Sequence, residues 1–170
     1  MNVAVQLEPH TGAVPSVTYR WDPDTDILTA RLDGVATGSG ASGSVDLEGA
    51  DGSWLILDVA RGHINGVEVA VWPDVRKRPA LQPPSAVEDG RLAVPSRPSA
   101  PDVSALEIDT NLRAESDDAE QVIYFRVGAA RPARTVRVAR ELLVELDPHQ
   151  RIAGLWLLDV PPFPSTGPLP

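Results

Sequence analysis

The sequence predicts an all-β fold, built as two pseudo-symmetric antiparallel meander or roll units packed as one body about a Pro-rich linker. Three observations lead there. Short runs of β-branched or apolar residues, bounded by Asp, Gly or Pro, recur along the chain while the helical period stays weak. Two stretches match each other at a constant offset, the mark of an internal repeat. Prolines cluster from Pro79 to Pro101 and from Pro161 to Pro170, where the missing backbone donors exclude a helix interior or a central strand.

In the first half the expected strands are Val17–Trp21, Ile27–Leu32, Ser44–Leu47, Trp54–Val59 and Ile64–Trp72. In the second half they are Ser104–Asp109, Gln121–Val127, Thr135–Val138, Leu142–Leu146 and Ile152–Val160. Strands this frequent, with turn residues between them, indicate a sandwich, roll or barrel. Arg137–Leu146 also tolerates a helical pattern, but its repeat mate Ser53–Asp58 does not, so strand is preferred. The expected boundaries are a first β repeat over 14–75, a linker over 76–102, a second repeat over 103–160 and an extended tail over 161–170.

The repeat is read by placing Trp54–Pro73 over Leu142–Pro161, so that Ile64, Gly66 and Pro73 fall on Ile152, Gly154 and Pro161 at an offset of 88. Upstream, Leu28–Leu32 matches Ile123–Val127 at an offset of 95, with Arg31 on Arg126. A longer Gly/Ser loop in the first copy, Gly38 to Gly43, absorbs the difference. Acidic turns, Asp22-Pro-Asp-Thr-Asp26 and Glu115-Ser-Asp-Asp-Ala-Glu120, occupy matching places. A unit of about 55–60 residues buries only about 60% of its unfolded surface and is marginal alone. Two copies are therefore expected to share a core.

Each copy resembles a small bacterial and archaeal domain of unknown function, patterned Y-D-P-E-x-D-x-L-Y-I-x-L and then V-x-D-x-D-x-x-G-x-V-x-G-I-E-I-L-D-A. The first copy supplies Arg20-Trp-Asp22-Pro-Asp24-Thr-Asp26-Ile-Leu28 and Ile64-Asn-Gly66-Val-Glu68-Val. The second supplies Leu146-Asp147-Pro-His-Gln-Arg-Ile152-Ala-Gly154-Leu-Trp-Leu-Leu-Asp159-Val. The pattern's glutamate is kept as Glu68 but is Trp156 in the second copy; its terminal aspartate is kept as Asp159 but is Val71 in the first. The resemblance implies a tandem pair and a partner-binding role, with no assigned chemistry.

A net charge of −9, negative in both halves, disfavours a nucleic-acid partner. The absence of cysteine excludes disulfides and thiolate metal sites. Met1 to His10 shows no basic-then-apolar leader, and no apolar run approaches the ~18 residues needed to span a bilayer. A cytoplasmic protein is expected, with no membrane, metal or cofactor. Lys77 is the single lysine among the 15 basic residues, which suggests a GC-rich coding genome.

The Asp22-x-Asp24-x-Asp26 run has Ile27 where a calcium loop needs Gly and Asp33 where it needs Glu. It reads as a turn whose carboxylates bond local backbone donors. His10, His63 and His149 show no zinc-ligand spacing and read as exposed turn residues. Thr37–Gly43 lacks the Lys-Ser/Thr ending of a phosphate loop and reads as a flexible hairpin loop. Arg126, Arg131, Arg134, Arg137 and Arg140 form the basic concentration, expected to pair with acidic neighbours such as Glu120, Glu141 and Glu145.

Of the tryptophans, Trp54 and Trp156 are assigned to the core. Strand alternation puts Trp72 on the face of Glu68 and Ala70, beside Pro73, as an exposed anchor. Both alternating sets of Ile152–Val160 are apolar, so that strand should be covered on both sides. No nucleophile, base and oxyanion donor form a constellation. The expected function is a non-catalytic module that binds another protein or self-associates. Its candidate binding residues are Trp72, Glu68, Arg31 and Arg126, and the Pro161–Pro170 tail is a candidate polyproline ligand. The alternative is a small-molecule-binding β-barrel, which includes an enzyme of specialised metabolism, holding Arg31, Arg126 or Glu68 in a closed cavity.

Overall fold

A computed structural model describes residues 3–95 and 104–164, and every regular element among them is a β-strand. In chain order the first nine are β1 (Gln6–Glu8), β2 (Val17–Trp21), β3 (Leu28–Leu32), β4 (Gly43–Glu48), β5 (Trp54–Ala60), β6 (His63–Val71), β7 (Val75–Lys77), β8 (Glu88–Asp89) and β9 (Arg91–Ala93). The rest are β10 (Ser104–Asp109), β11 (Leu112–Ser116), β12 (Ile123–Val127), β13 (Arg134–Ala139), β14 (Leu142–Leu146) and β15 (Ile152–Leu157). Each of the ten expected strands coincides with an observed one. The largest difference is at β15, which stops at Leu157 because Asp159 turns to a φ of 52° and breaks the extended chain.

The strands form two sheets. The first runs β1-β9-β6-β5-β4-β10, with the β2–β3 hairpin joined to it through β3 and β6. The second runs β7-β11-β12-β15-β14-β13-β8. In the first, β3 lies antiparallel to β6 with Leu28 opposite Val69 and Arg31 opposite Gly66. In the second, β12 lies antiparallel to β15 with Ile123 opposite Leu157 and Arg126 opposite Gly154. Both three-stranded portions also carry a register shift, between Asp58 and Val59 in one and between Glu145 and Leu146 in the other.

The segment expected as a linker is woven into both sheets. β7 pairs in parallel with β11 and β8 with β13 in the second sheet, whereas β9 pairs with β1 and β6 in the first. Pro79, Pro83 and Pro84 fall between these short strands, where no ladder bond is needed; Pro98 and Pro101 lie outside the described residues. Ser104–Asp109, expected in the second repeat, instead adds to the first sheet alongside β4. The place beside β12 is taken by β11. That strand alternates buried Leu112, Ala114 and Ser116 with Arg113 and Glu115, a strict two-residue period obscured by its weak β formers.

The apolar faces of the two sheets enclose one core. Leu28, Leu47, Leu55 and Leu57 from the first sheet join Phe125, Leu142, Leu155 and Leu157 from the second, all fully buried. Backbone and side-chain bonds stitch the layers at their margins. The Tyr19 hydroxyl donates to the Leu158 carbonyl at 2.7 Å, the Val17 N–H to Glu141 Oε2 at 2.8 Å, and the Ile152 N–H to the Val3 carbonyl at 2.9 Å. β14 and β15 are buried along their whole length.

The Gly-rich loop packs down against the β5–β6 turn. The Gly62 N–H donates to the Ala41 carbonyl at 2.8 Å and the Arg61 N–H to Ser42 Oγ at 3.0 Å. A β-carbon on Gly40 would lie 2.6 Å from the Gly62 Cα, so this is a docked loop whose glycine is required by close backbone approach. Removing the ring at the centre of the core should be felt by the whole fold: Phe125→Ala is expected to lower unfolding stability by about 3–5 kcal/mol. Urea denaturation followed by tryptophan fluorescence measures it, and an effect below about 1 kcal/mol would mean that the two layers do not share a core.

Candidate functional site: an aromatic cleft between the sheets

Two acidic turns and one bulge build the cleft. At the end of β2 the Asp22 N–H donates to the Ile27 carbonyl at 2.8 Å and the Asp26 N–H to the Asp22 carbonyl at 2.9 Å. Asp22 Oδ1 accepts the Asp24 N–H at 2.9 Å, and that bond is the main reason its carboxyl titrates below the ordinary range. The carboxylate therefore bonds local backbone, as the sequence suggested. Asp117 does the same for the N–H groups of Gln121 and Val122, and Asp147 for those of His149 and Arg151.

Closing the first turn puts Asp26 at a φ of 63° with its carbonyl within 2.7 Å of the Trp72 indole N–H, which donates to it. Trp72 does not lie on the face of Glu68. Between β5 and β6 the register shifts, Leu55 facing Val69 and Trp54 facing Val71. The extra residue, Ala70, is a bulge, and a bulge reverses which side of the strand the following residues take. Val71 turns outward, 46% exposed, while Trp72 turns in and packs against the core.

There Trp72 stacks on Trp21 with centroids 5.7 Å apart and planes 18° from parallel, and tilts against Phe125 at 5.7 Å. The Trp21 indole N–H donates to the Pro161 carbonyl at 2.9 Å, and Phe163 meets the Trp21 ring edge-on at 5.2 Å. Trp21, Trp72, Pro161 and Phe163, with Val75 and Ile123, line an open cleft of about 720 Å³. Asp26 and the Lys77–Glu120 ion pair form its rim. Val75 and Phe163, 38% and 40% exposed, leave apolar surface facing solvent.

The other candidate residues lie elsewhere. Arg31 and Glu68 share the outer face of the first sheet with Thr29, Ile56 and Asp58, around a hollow of only about 100 Å³. Arg126 holds the corresponding register place on the second sheet and donates to the Ala129 carbonyl at 3.3 Å. Around it Tyr124 and Trp156 lie ring to ring at 4.4 Å, with the buried Glu145 carboxylate beside the Tyr124 hydroxyl. Burial, then that carboxylate, pushes the Tyr124 phenol well above its ordinary range. Trp156 is buried as expected, though on this outer face; Trp54 is half-buried on the outer face of β5 and outside the core.

His63 is the first residue of β6, not a turn residue, and its Nε2 lies 3.0 Å from Glu8 Oε1 with the side chain 15% exposed. His10 Nε2 lies 3.2 Å from the Arg137 carbonyl; His149 is exposed in the Asp147 turn. Two arginines of the basic stretch are ion-paired, with partners the sequence did not suggest. Arg134 grips Glu88 through two bonds of 2.7 Å and Arg137 bonds Asp89 at 2.6 Å, both acids belonging to β8.

Trp21 and Phe163 were not singled out from the sequence, although a signal was present. Trp21 immediately precedes Asp-Pro, Trp72 precedes Pro, and Phe163 is the aromatic residue of the proline tail. Neither a family model nor a curated protein matches the chain. Among the described residues no helix is long and apolar enough to cross a membrane.

The β8 ion pairs give a pH dependence. Hydrogen bonds from Arg134 and Arg137 hold the Glu88 and Asp89 carboxyls below their ordinary values of 4.5 and 3.8. Their contribution to attaching β8 is therefore complete above those ordinary values and is lost as pH falls through the lowered ones. Carbon-detected NMR titration should give both midpoints below the ordinary values, and Arg134→Gln should raise that of Glu88 while leaving Asp89 in place. An unmoved Glu88 midpoint would remove Arg134 as the cause.

Proposed function

We propose that this protein is a non-catalytic interaction module that holds another protein in the Trp21–Trp72 cleft. The observation that carries the reading is the exposed apolar lining of that cleft. Val75 and Phe163 lie open to solvent beside half-buried stacked indoles, and tryptophan anchors of this kind concentrate binding energy. The alternative, a small-molecule site around Arg31 and Glu68, has less support: its hollow of about 100 Å³ is below the roughly 300 Å³ at which ligand pockets begin.

We further infer that the chain is a tandem pair of one degenerate unit, related to the small domain whose pattern it resembles. What supports this is shared register. β2-β3-β6-β5-β4 and β11-β12-β15-β14-β13 pair in the same order, with Arg31 and Arg126 facing Gly66 and Gly154. In this reading the body works in the cytoplasm, and the partner is a protein, a second copy included, with nucleic acid disfavoured by the charge of −9.

A photo-crosslinking residue placed at Val75 should give a discrete adduct with one protein in the native host, while the same residue at Val35, 91% exposed and outside the cleft lining, should not. The adduct partner, purified, should bind the wild-type chain and lose at least about tenfold in affinity on Trp72→Leu, in keeping with an interface hot spot. Identical adducts at the two positions, or a partner indifferent to Trp72, would overturn the proposal.

A further inference from the structure

The cleft already holds a ligand-like segment, and it is the protein's own. Pro161 and Pro162 run along the aromatic lining with Phe163 against the Trp21 ring, and the Trp21 indole N–H bonds the Pro161 carbonyl at 2.9 Å. Grooves that recognise extended proline-rich segments use these same elements: parallel aromatic walls, and an indole donor aimed at a carbonyl that the proline ring leaves free of any intrachain bond. The segment is joined to the body one residue earlier, where the Val160 N–H donates to the Gln121 carbonyl at 2.9 Å, and it fills only part of the cleft.

Resting on the reading of the cleft as an interaction surface, we infer that its partner is an extended Pro-Pro-aromatic segment of another polypeptide, and that Pro161-Pro162-Phe163 occupies the same subsite in competition with it. The tail is thus a built-in competitor. Asp26 on the rim and the net charge of −9 favour a neutral or basic segment over an acidic one. An attached tail competes at an effective concentration of about millimolar, so the intact chain binds such a segment weakly and a chain with a weakened tail binds it better.

The test uses the full chain and a synthetic peptide of sequence PPFPSTGPLP, copied from residues 161–170. The readout is the indole N–H resonances of Trp21 and Trp72. Saturating shifts are expected in the wild type at high peptide concentration, and at about tenfold lower concentration in Phe163→Ala, whose side chain is 40% exposed and carries little of the fold. In the Phe163→Ala background, where the tail competes little, Trp21→Phe keeps a stacked ring, removes the donor and should weaken peptide binding about tenfold, read at the Trp72 indole. A version of the peptide flanked by glutamates should bind more weakly than the parent. Unmoved indole resonances in both wild type and Phe163→Ala at millimolar peptide would overturn the inference; should Phe163→Ala not fold, the wild-type titration decides alone. A Trp72-dependent adduct partner alongside a peptide that fails to bind would remove the partner class and leave the interaction reading standing. Loss of both would remove the two together.

Discussion

Burial of two half-apolar sheets against each other is the constraint on which the rest of this structure depends. Each sheet has an inner face rich in leucine and valine, joined in the second by Phe125, that it cannot cover by itself, and the faces meet in one cluster running from Val3 to Val160. A single layer of this size would be marginal alone. The chain meets the constraint by crossing between layers: β7 and β8 lie in the second sheet, and β9 and β10 in the first. The Pro-rich stretch is suited to this because short edge strands tolerate proline between them, where a continuous central strand would not. β8 also supplies the carboxylates that pair with Arg134 and Arg137.

The cleft follows from that assembly. Trp21 ends β2 and Trp72 directly follows β6 in the first sheet, Ile123 and Lys77 belong to the second, and Pro161 to Phe163 follow the last strand. No one layer contains the site, so its geometry is as cooperative as the core beneath it; Phe125, at the centre of that core, touches Trp72 directly. The outer faces of the sheets carry a different chemistry. In the first, Arg31, Asp58 and Glu68 surround a shallow hollow; in the second, Tyr124, Glu145 and Trp156 close the corresponding place, and a β-carbon on Gly154 would strike both the Glu145 carboxylate and the Tyr124 ring. The same register supports an open polar surface on one sheet and a sealed aromatic one on the other.

Much of the strand plan was legible because it is local. Apolar runs between Asp, Gly and Pro mark strands whatever they pair with, and the Asp22, Asp117 and Asp147 turns are made by carboxylates bonding amides a few residues away. Legibility failed where pairing decided the outcome. β11 escaped notice because its residues are poor β formers that become a strand only between β7 and β12. Trp72 was assigned to the wrong face, since strict alternation cannot register the bulge at Ala70. Trp54 looked like core by its chemistry, yet its place on the outer side of β5 is fixed by parity with Leu55 and Leu57. His63 and the Gly-rich loop looked loose and are held, one by Glu8 and the other by the backbone of Arg61 and Gly62.

Two things were settled by the sequence acting alone: an all-β chain, because a two-residue apolar period can be buried in no other regular form, and the positions of its tight turns, because carboxylate and glycine geometry there is short-range. Tertiary structure decided which strands share a sheet, where the Pro-rich crossing enters, and that Trp21, Trp72 and Phe163 meet. Those are encounters between residues up to 142 positions apart in the chain, from Trp21 to Phe163. No local propensity encodes them; they are fixed by the requirement that both apolar faces leave water at once.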